Sequence, residues 1–117
     1  MTDKNSIPVI NRSEAVRVYT SDILYIENDG RKIHIYTENG DISTYRKIDE
    51  ISGLLPPAFY RCHKSLMINL EKVTKMAGGV IYFGNTASYK LGRENFSKAI
   101  QTYKRYLIDR HGLSEKV

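Results

Sequence analysis

The chain has 117 residues, which is enough for one domain with its own hydrophobic core. Its single cysteine, Cys62, excludes an intrachain disulfide and is typical of a reducing compartment. No apolar run approaches the ~20 residues that cross a bilayer, and the polar first residues do not make a signal sequence. We therefore predict a cytoplasmic protein without a membrane segment, with one domain at residues 7–112 between polar tails at residues 1–6 and 113–117.

The net charge of +5 is concentrated in the second half of the sequence. Residues 1–60 contain seven Lys or Arg and nine Asp or Glu, a net charge of −2. Residues 61–117 contain eleven and four, a net charge of +7. A basic half suits a polyanionic partner, either nucleic acid or an anionic membrane surface. A modest charge also serves solubility alone, so the charge by itself selects no function.

Alternation of apolar and polar residues predicts a mostly β domain. The segments rich in β-formers are residues 7–10, 15–20, 22–28, 32–38, 41–46, 59–62, 66–70, 73–77, 80–83 and 87–91. Turn signals at Asn28-Asp29-Gly30 and Asn39-Gly40 separate the third, fourth and fifth segments, which are therefore expected to form an antiparallel meander. The prediction is nine or ten short strands in small antiparallel sheets.

Two segments have helical rather than β spacing. A proline pair ends the first, which predicts a short mid-chain helix over residues 48–55. The second predicts a C-terminal amphipathic helix that stops near Gly112. The apolar positions are Ile48, Ile51, Leu54 and Leu55 in the first helix, and Phe96, Ala99, Ile100, Tyr103 and Leu107 in the second.

The sequence offers no catalytic or metal-binding pattern. Cys62 and His63 are neighbours on a predicted strand, so their side chains point to opposite faces and Cys62 is expected to be a core residue. The three histidines and the cysteine lack the paired spacings of zinc sites. Glu27 has no second acid with which to divide acid–base work. We predict a protein that is not an enzyme and needs no cofactor or metal.

Three basic spots lie at connections between predicted elements. Such connections can carry functional side chains without disturbing a β core. Each spot alone is commonly a solvated turn, but together they favour a binding surface. The spots are Arg31-Lys32 after the first turn signal, His63-Lys64-Ser65 between two strands, and Arg93-Glu94-Asn95 before the final helix.

The residues around the second spot resemble the motif of the LytTR family of bacterial DNA-binding domains. That motif reads phenylalanine, any residue, arginine, an apolar residue, histidine, arginine and serine, then an apolar run to an asparagine. Residues 59–69 match it from Phe59 to Asn69, with Lys64 where arginine is usual. Gly92 stands before Arg93 where the family commonly has a serine. The resemblance extends over residues 22–107.

The resemblance implies a mostly β fold that inserts loops, rather than a recognition helix, into the major groove of double-stranded DNA. The implied role is a bacterial transcription regulator, or the output domain of a two-component response regulator. Arg93 is expected to read a guanine, with Asn95 beside it, and His63 to contact a base edge or a phosphate. Direct repeats in promoters and a homodimer on DNA are further expectations. The residues expected to fix the register on the DNA backbone are Arg61, Lys64, Ser65 and either Arg31 or Lys32.

Two other functions fit the sequence. Five tyrosines could form the adhesive β surface of a protein-interaction module. The same tyrosines could stack on the bases of single-stranded nucleic acid. A preference for duplex over single strand separates these alternatives from duplex DNA binding. The tyrosines concerned are Tyr19, Tyr25, Tyr36, Tyr60 and Tyr82.

Overall fold

The structure, a computed structural model, describes residues 5–114. The prediction of a mostly β chain is confirmed: these residues form ten strands in small antiparallel sheets and two α-helices. The chain divides after Lys72 into two compact units. Residues 1–4 and 115–117, which fall within the predicted polar tails, lie outside the described residues, and the first strand begins at Ser6.

The first unit contains a two-stranded and a five-stranded sheet, both antiparallel. β1 (Ser6–Ile10) pairs with β2 (Ala15–Tyr19). The larger sheet contains β3 (Ile23–Asp29), β4 (Lys32–Thr37), β5 (Gly40–Thr44), β6 (Phe59–His63) and β7 (Leu66–Asn69), in the order β5-β4-β3-β7-β6. The predicted meander is therefore confirmed as β3-β4-β5, and two further strands extend it beside β3.

The core of the first unit follows from strand alternation. Ile33 and Ile35 point to one face of β4 and are fully buried, whereas His34 and Tyr36 between them are only partly buried. The buried face packs with α1 (Ile48–Ile51), whose Ile48 belongs to the same apolar cluster. After four α-helical residues, the predicted helix continues as a 3₁₀ turn, Ser52–Leu54. A helix this short is stable only because it is docked on the sheet.

The register of β3 against β7 places two turns at the same end of the five-stranded sheet. Glu27 lies opposite Leu66, and the backbone N–H of Asn28 donates to the carbonyl of Ser65 at 2.8 Å. Because the two strands are antiparallel, the turn that follows β3 and the turn that precedes β7 are adjacent. The sequence predicted β7 to be half buried, but all four of its residues are buried.

The second unit contains a three-stranded sheet and a long helix. The strands are β8 (Lys75–Ala77), β9 (Val80–Phe83) and β10 (Ala87–Lys90), in the order β10-β9-β8. The helix is α2 (Arg93–Arg110), and the predicted apolar residues Ala99 and Tyr103 are buried on it. The Tyr103 hydroxyl donates to the carbonyl of Val73 at 2.7 Å.

The predicted stop at Gly112 takes the form of a Schellman cap. Gly112 has a φ of +64°, a conformation that suits glycine because it lacks a Cβ. The N–H of Leu113 donates to the carbonyl of Ile108 at 3.0 Å, and the N–H of Gly112 to that of Asp109 at 3.4 Å. These bonds satisfy carbonyls that the end of α2 would otherwise leave open.

Candidate nucleic-acid interface

The first predicted spot lies in the turn between β3 and β4. Gly30 has a φ of +64° and allows the tight reversal, which leaves the Arg31 side chain exposed. Lys32 is the first residue of β4, and its ammonium lies 5.3 Å from the ring centroid of Tyr45. That distance is short enough for a cation–π interaction. This turn therefore presents two cations, of which Arg31 is the more exposed.

The second predicted spot lies in the turn between β6 and β7. A bulge between Arg61 and His63 ends the regular pairing of β6. The backbone N–H of Ser65 donates to Nδ1 of His63 at 3.1 Å. Nδ1 is thereby the acceptor of the ring, so the neutral imidazole carries its proton on Nε2 and offers a donor there. Lys64, between them, is exposed.

The guanidinium of Arg61 is engaged inside this same turn. Its Nε donates to the carbonyl of His63 at 2.9 Å, and its Nη2 donates to the carbonyl of Lys64. Its Nη1 donates to Oδ1 of Asp49 at 2.8 Å. Arg61 is one of the residues predicted to fix the register on the DNA backbone, and in the structure its Nε, Nη1 and Nη2 each donate to an acceptor within the protein.

Asn28 is a site residue that the sequence analysis missed. Its Nδ2 donates to the carbonyl of Lys64 at 3.0 Å, and its Oδ1 accepts from the backbone N–H of Ile48 at 3.2 Å. One amide thus joins the end of β3, the β6–β7 turn and the start of α1. The partners lie 36 and 20 residues away in sequence, so no local pattern could have revealed them.

The three backbone carbonyls of residues 63 to 65 in the β6–β7 turn all accept hydrogen bonds from within the protein. The carbonyls of His63 and Lys64 accept from Arg61, and the carbonyl of Ser65 accepts from the backbone of Asn28. The groups left for a ligand are the Lys64 ammonium, the Ser65 hydroxyl and the Nε2–H of His63. Because these are donors and one fixed positive charge, the turn suits an anion or the acceptor atoms of base edges.

The third predicted spot forms the first turn of α2 and is not a connection as expected. Arg93 is the first helical residue, and both Arg93 and Glu94 are exposed, whereas Asn95 is partly buried. Gly92 is the N-cap, with extended backbone and no capping side chain. The spot was misplaced because glycine gives a weaker start signal than the serine common in the family. It lies in the second unit, whereas the other two spots share one end of the sheet in the first.

Cys62 has the environment predicted for a core residue. It is 8% exposed, and burial raises the pKa of its thiol to about 12. A thiol with such a pKa is protonated at neutral pH and is a poor nucleophile. Among residues 5–114, no group of three or more His, Cys, Asp or Glu side chains could hold a metal ion. In the same residues no helix has the length and apolar character needed to cross a membrane.

The tyrosines do not form the five-membered surface that the alternative functions require. Tyr25 is buried and stacks on Tyr36, with ring centroids 4.4 Å apart. Burial, reinforced by Tyr36, raises the pKa of Tyr25 to about 12. Tyr19 is 50% exposed at the end of β2. Single-stranded bases therefore cannot stack on Tyr25, one of the five tyrosines of the set.

Comparisons with known proteins agree with the motif and with the fold. The sequence profile of the LytTr DNA-binding domain matches residues 13–109. The transcriptional regulatory protein YpdB of Escherichia coli is 25% identical over 103 residues, which cover 87% of this chain and 41% of that protein. The transcriptional regulatory protein NatR of Bacillus subtilis is 32% identical over 68 residues, covering 57% of this chain and 29% of that protein. The chain thus spans about two fifths or less of these relatives.

A solved structure has the same fold. It is a LytTr DNA-binding domain from Bacillus cereus, which superposes with a TM-score of 0.68 and covers 86% of this chain and 96% of its own. Its sequence identity is 16%, so the likeness concerns the fold alone.

Proposed function

Because this chain belongs to the LytTr DNA-binding domain family, we propose that it binds specific sequences of double-stranded DNA and regulates transcription without catalysing a reaction. One observation carries the proposal beyond the family: two adjacent turns of the first unit present cations and donors at one end of the sheet. These groups are Arg31, Lys32 and Lys64 with the Ser65 hydroxyl.

Each turn has its own part in the proposed complex. Arg31, Lys32 and Lys64 neutralise phosphates and set the register of the protein on the duplex. The Ser65 hydroxyl donates a hydrogen bond to a phosphate oxygen. His63, with its proton on Nε2, donates to a phosphate or to an acceptor in the major groove, such as guanine N7 or O6 or thymine O4.

In the second unit, Arg93 supplies the base-specific contact. Its planar guanidinium can donate to O6 and N7 of one guanine at the same time. It stands at the first position of α2, where backbone N–H groups and the helix dipole also favour negative charge. Asn95 lies in the same helical turn and adds a side chain that can both donate and accept. Direct repeats and a homodimer on DNA remain part of the proposal.

Selection of bound duplexes from a random pool, followed by sequencing, tests the function directly. We expect a defined consensus to be enriched over successive rounds. A competition assay with the selected duplex and its separated strands should show a clear preference for the duplex. Equal competition by single strands would favour stacking on tyrosines instead, and failure to enrich any sequence would contradict specific recognition.

Replacing Arg93 tests the assignment of base reading. Arg93→Ala should weaken binding to the selected duplex by ~1–3 kcal/mol and relax the preference at one base pair. Lys104→Ala, which removes one charge from an exposed position further along α2, is the control and should leave base preference intact. Affinities for the consensus and its single-base variants, measured by gel shift, give both quantities. An unchanged base preference in Arg93→Ala would remove Arg93 from the reading role.

A further inference from the structure

We propose that Arg61 and Asn28 are positioning residues, which occupy the acceptors of the β6–β7 turn from inside so that the turn offers DNA only donors and positive charge. The proposal deepens the proposed function and rests on it. Carbonyl oxygens carry partial negative charge and repel phosphate, so a turn with open carbonyls would be a poor surface for DNA. In this turn the carbonyls of residues 63 to 65 all have internal donors.

The geometry of Arg61 fits a positioning role better than a DNA contact. Its Nε and Nη2 fork over two successive carbonyls, those of His63 and Lys64, while Nη1 is held by Asp49. Arg61 binds the two carbonyls and the carboxylate through three separate nitrogens of its planar guanidinium, whereas the three N–H donors of a lysine ammonium share one compact nitrogen and do not reproduce that spread. The Arg61 side chain is 30% exposed, whereas Lys64 is exposed beside it.

Asn28 binds one of the two carbonyls that Arg61 holds. The Lys64 oxygen accepts from Nδ2 of Asn28 as well as from Arg61. The other end of the amide accepts the N–H of Ile48, which fixes the orientation of the side chain. Because α1 is docked in the core through Ile48, the amide ties the exposed turn to a buried element.

A residue at the start of α1 also occupies a carbonyl of the neighbouring β3–β4 turn. The ammonium of Lys47 donates to the carbonyl of Gly30 at 2.6 Å, and that carbonyl belongs to the turn that carries Arg31. Asp49, two residues further on, holds Arg61. The segment 47–49 therefore braces both turns of the proposed interface, which is how loops can be held rigid before DNA arrives.

Two substitutions of Arg61 separate positioning from phosphate contact. If Arg61 positions the turn, Arg61→Lys and Arg61→Met should each weaken binding to the selected duplex by about tenfold or more, since lysine offers its donors from a single nitrogen and methionine offers none. If Arg61 neutralises a phosphate, Arg61→Lys should bind nearly as well as the wild type, and that result would overturn the proposal. Arg17→Lys and Arg17→Met are matched controls at an exposed arginine of β2, where lysine and methionine should both be tolerated.

A measurement on the free protein keeps the proposal testable if the variants unfold or if the protein fails to bind DNA. In ¹⁵N NMR spectra of the wild type, the Nε–H of Arg61 should exchange with water at least tenfold more slowly than that of the exposed Arg17. Exchange at the same rate would show that Arg61 is not engaged and would overturn the proposal. Slow exchange without DNA binding would instead contradict the proposed function and leave the positioning intact.

The same spectra test Asn28. In Asn28→Ala, the backbone N–H of Ile48 loses its acceptor and should exchange faster than in the wild type. Asn85→Ala, in the β9–β10 turn, is the control and should leave that N–H unchanged. An Ile48 N–H that is equally protected in both variants would count against the link between Asn28 and α1.

Discussion

At the scale of single residues, burial and not neighbouring chemistry determines the behaviour of Cys62. The residue lies between Arg61 and His63, and basic neighbours of this kind commonly lower the pKa of a reactive thiol. Strand alternation predicted instead a core position, and the structure confirms it with a side chain 8% exposed. Desolvation raises the pKa of the thiol to about 12, in spite of the basic residues beside it in sequence.

This shift predicts a loss of stability at alkaline pH. The thiol of the unfolded chain ionises near pH 9.0, whereas that of the folded protein does so at about 12. Below the first value both states keep the proton and the stability is complete; between the two values ionisation favours the unfolded chain. At a pH of about 10.5 the cost is about 2 kcal/mol. Urea unfolding should show a smaller alkaline loss in Cys62→Ala than in the wild type. Equal losses would mean that Cys62 does not titrate this way.

At the scale of elements, the spacing of apolar residues in the sequence predicted most strands and both helices. The 3.6-residue spacing predicted α2, and Ala99 and Tyr103 are buried as expected. Leu107, on the same predicted face, is 36% exposed. The start of α2 at Arg93 was missed because Gly92 gives no capping side chain.

The hydrogen bond between α2 and the start of the second unit gives a prediction for this element. Tyr103→Phe removes the donor to the buried carbonyl of Val73 and should lower the free energy of unfolding by ~1–3 kcal/mol. Tyr45→Phe, at a side chain 75% exposed, is the control and should stay within ~0.5 kcal/mol of the wild type. Urea denaturation measures both. Equal stability of the two variants would show that the Tyr103 hydroxyl adds nothing.

At the scale of the whole molecule, charge governs the encounter with a polyanion. The net charge of +5 is made by the second half of the sequence, yet Arg31 and Lys32 come from the first half, whose net charge is −2. Counting net charge separately for the two halves of the sequence therefore hides the two cations of the β3–β4 turn. The adjacency of this turn to Lys64 follows from the register of β3 and β7 and not from composition.

The salt dependence of DNA affinity tests this picture. If three to five phosphates are neutralised, the logarithm of the affinity should fall with the logarithm of salt concentration with a slope of about −2.7 to −4.5. Lys64→Met should make the slope less steep by about 0.9, because one fewer counterion is released. Fluorescence anisotropy at several salt concentrations gives the slopes. A slope near zero for the wild type would exclude phosphate contacts as the source of affinity.

The sequence alone determined the β architecture, the two helices, the core position of Cys62 and the family motif from Phe59 to Asn69. These follow from local patterns, because side-chain period and turn residues act over a few neighbours. Only the tertiary structure revealed that the Arg61 guanidinium is hydrogen-bonded within the protein and that Asn28 joins a turn to α1. The partners of Asn28 are 36 and 20 residues away, and strand register and the docking of α1 bring them within hydrogen-bonding distance, which no local pattern records. The carbonyls that Arg61 binds are only two and three residues away, but its carboxylate partner Asp49 is 12 residues away on α1.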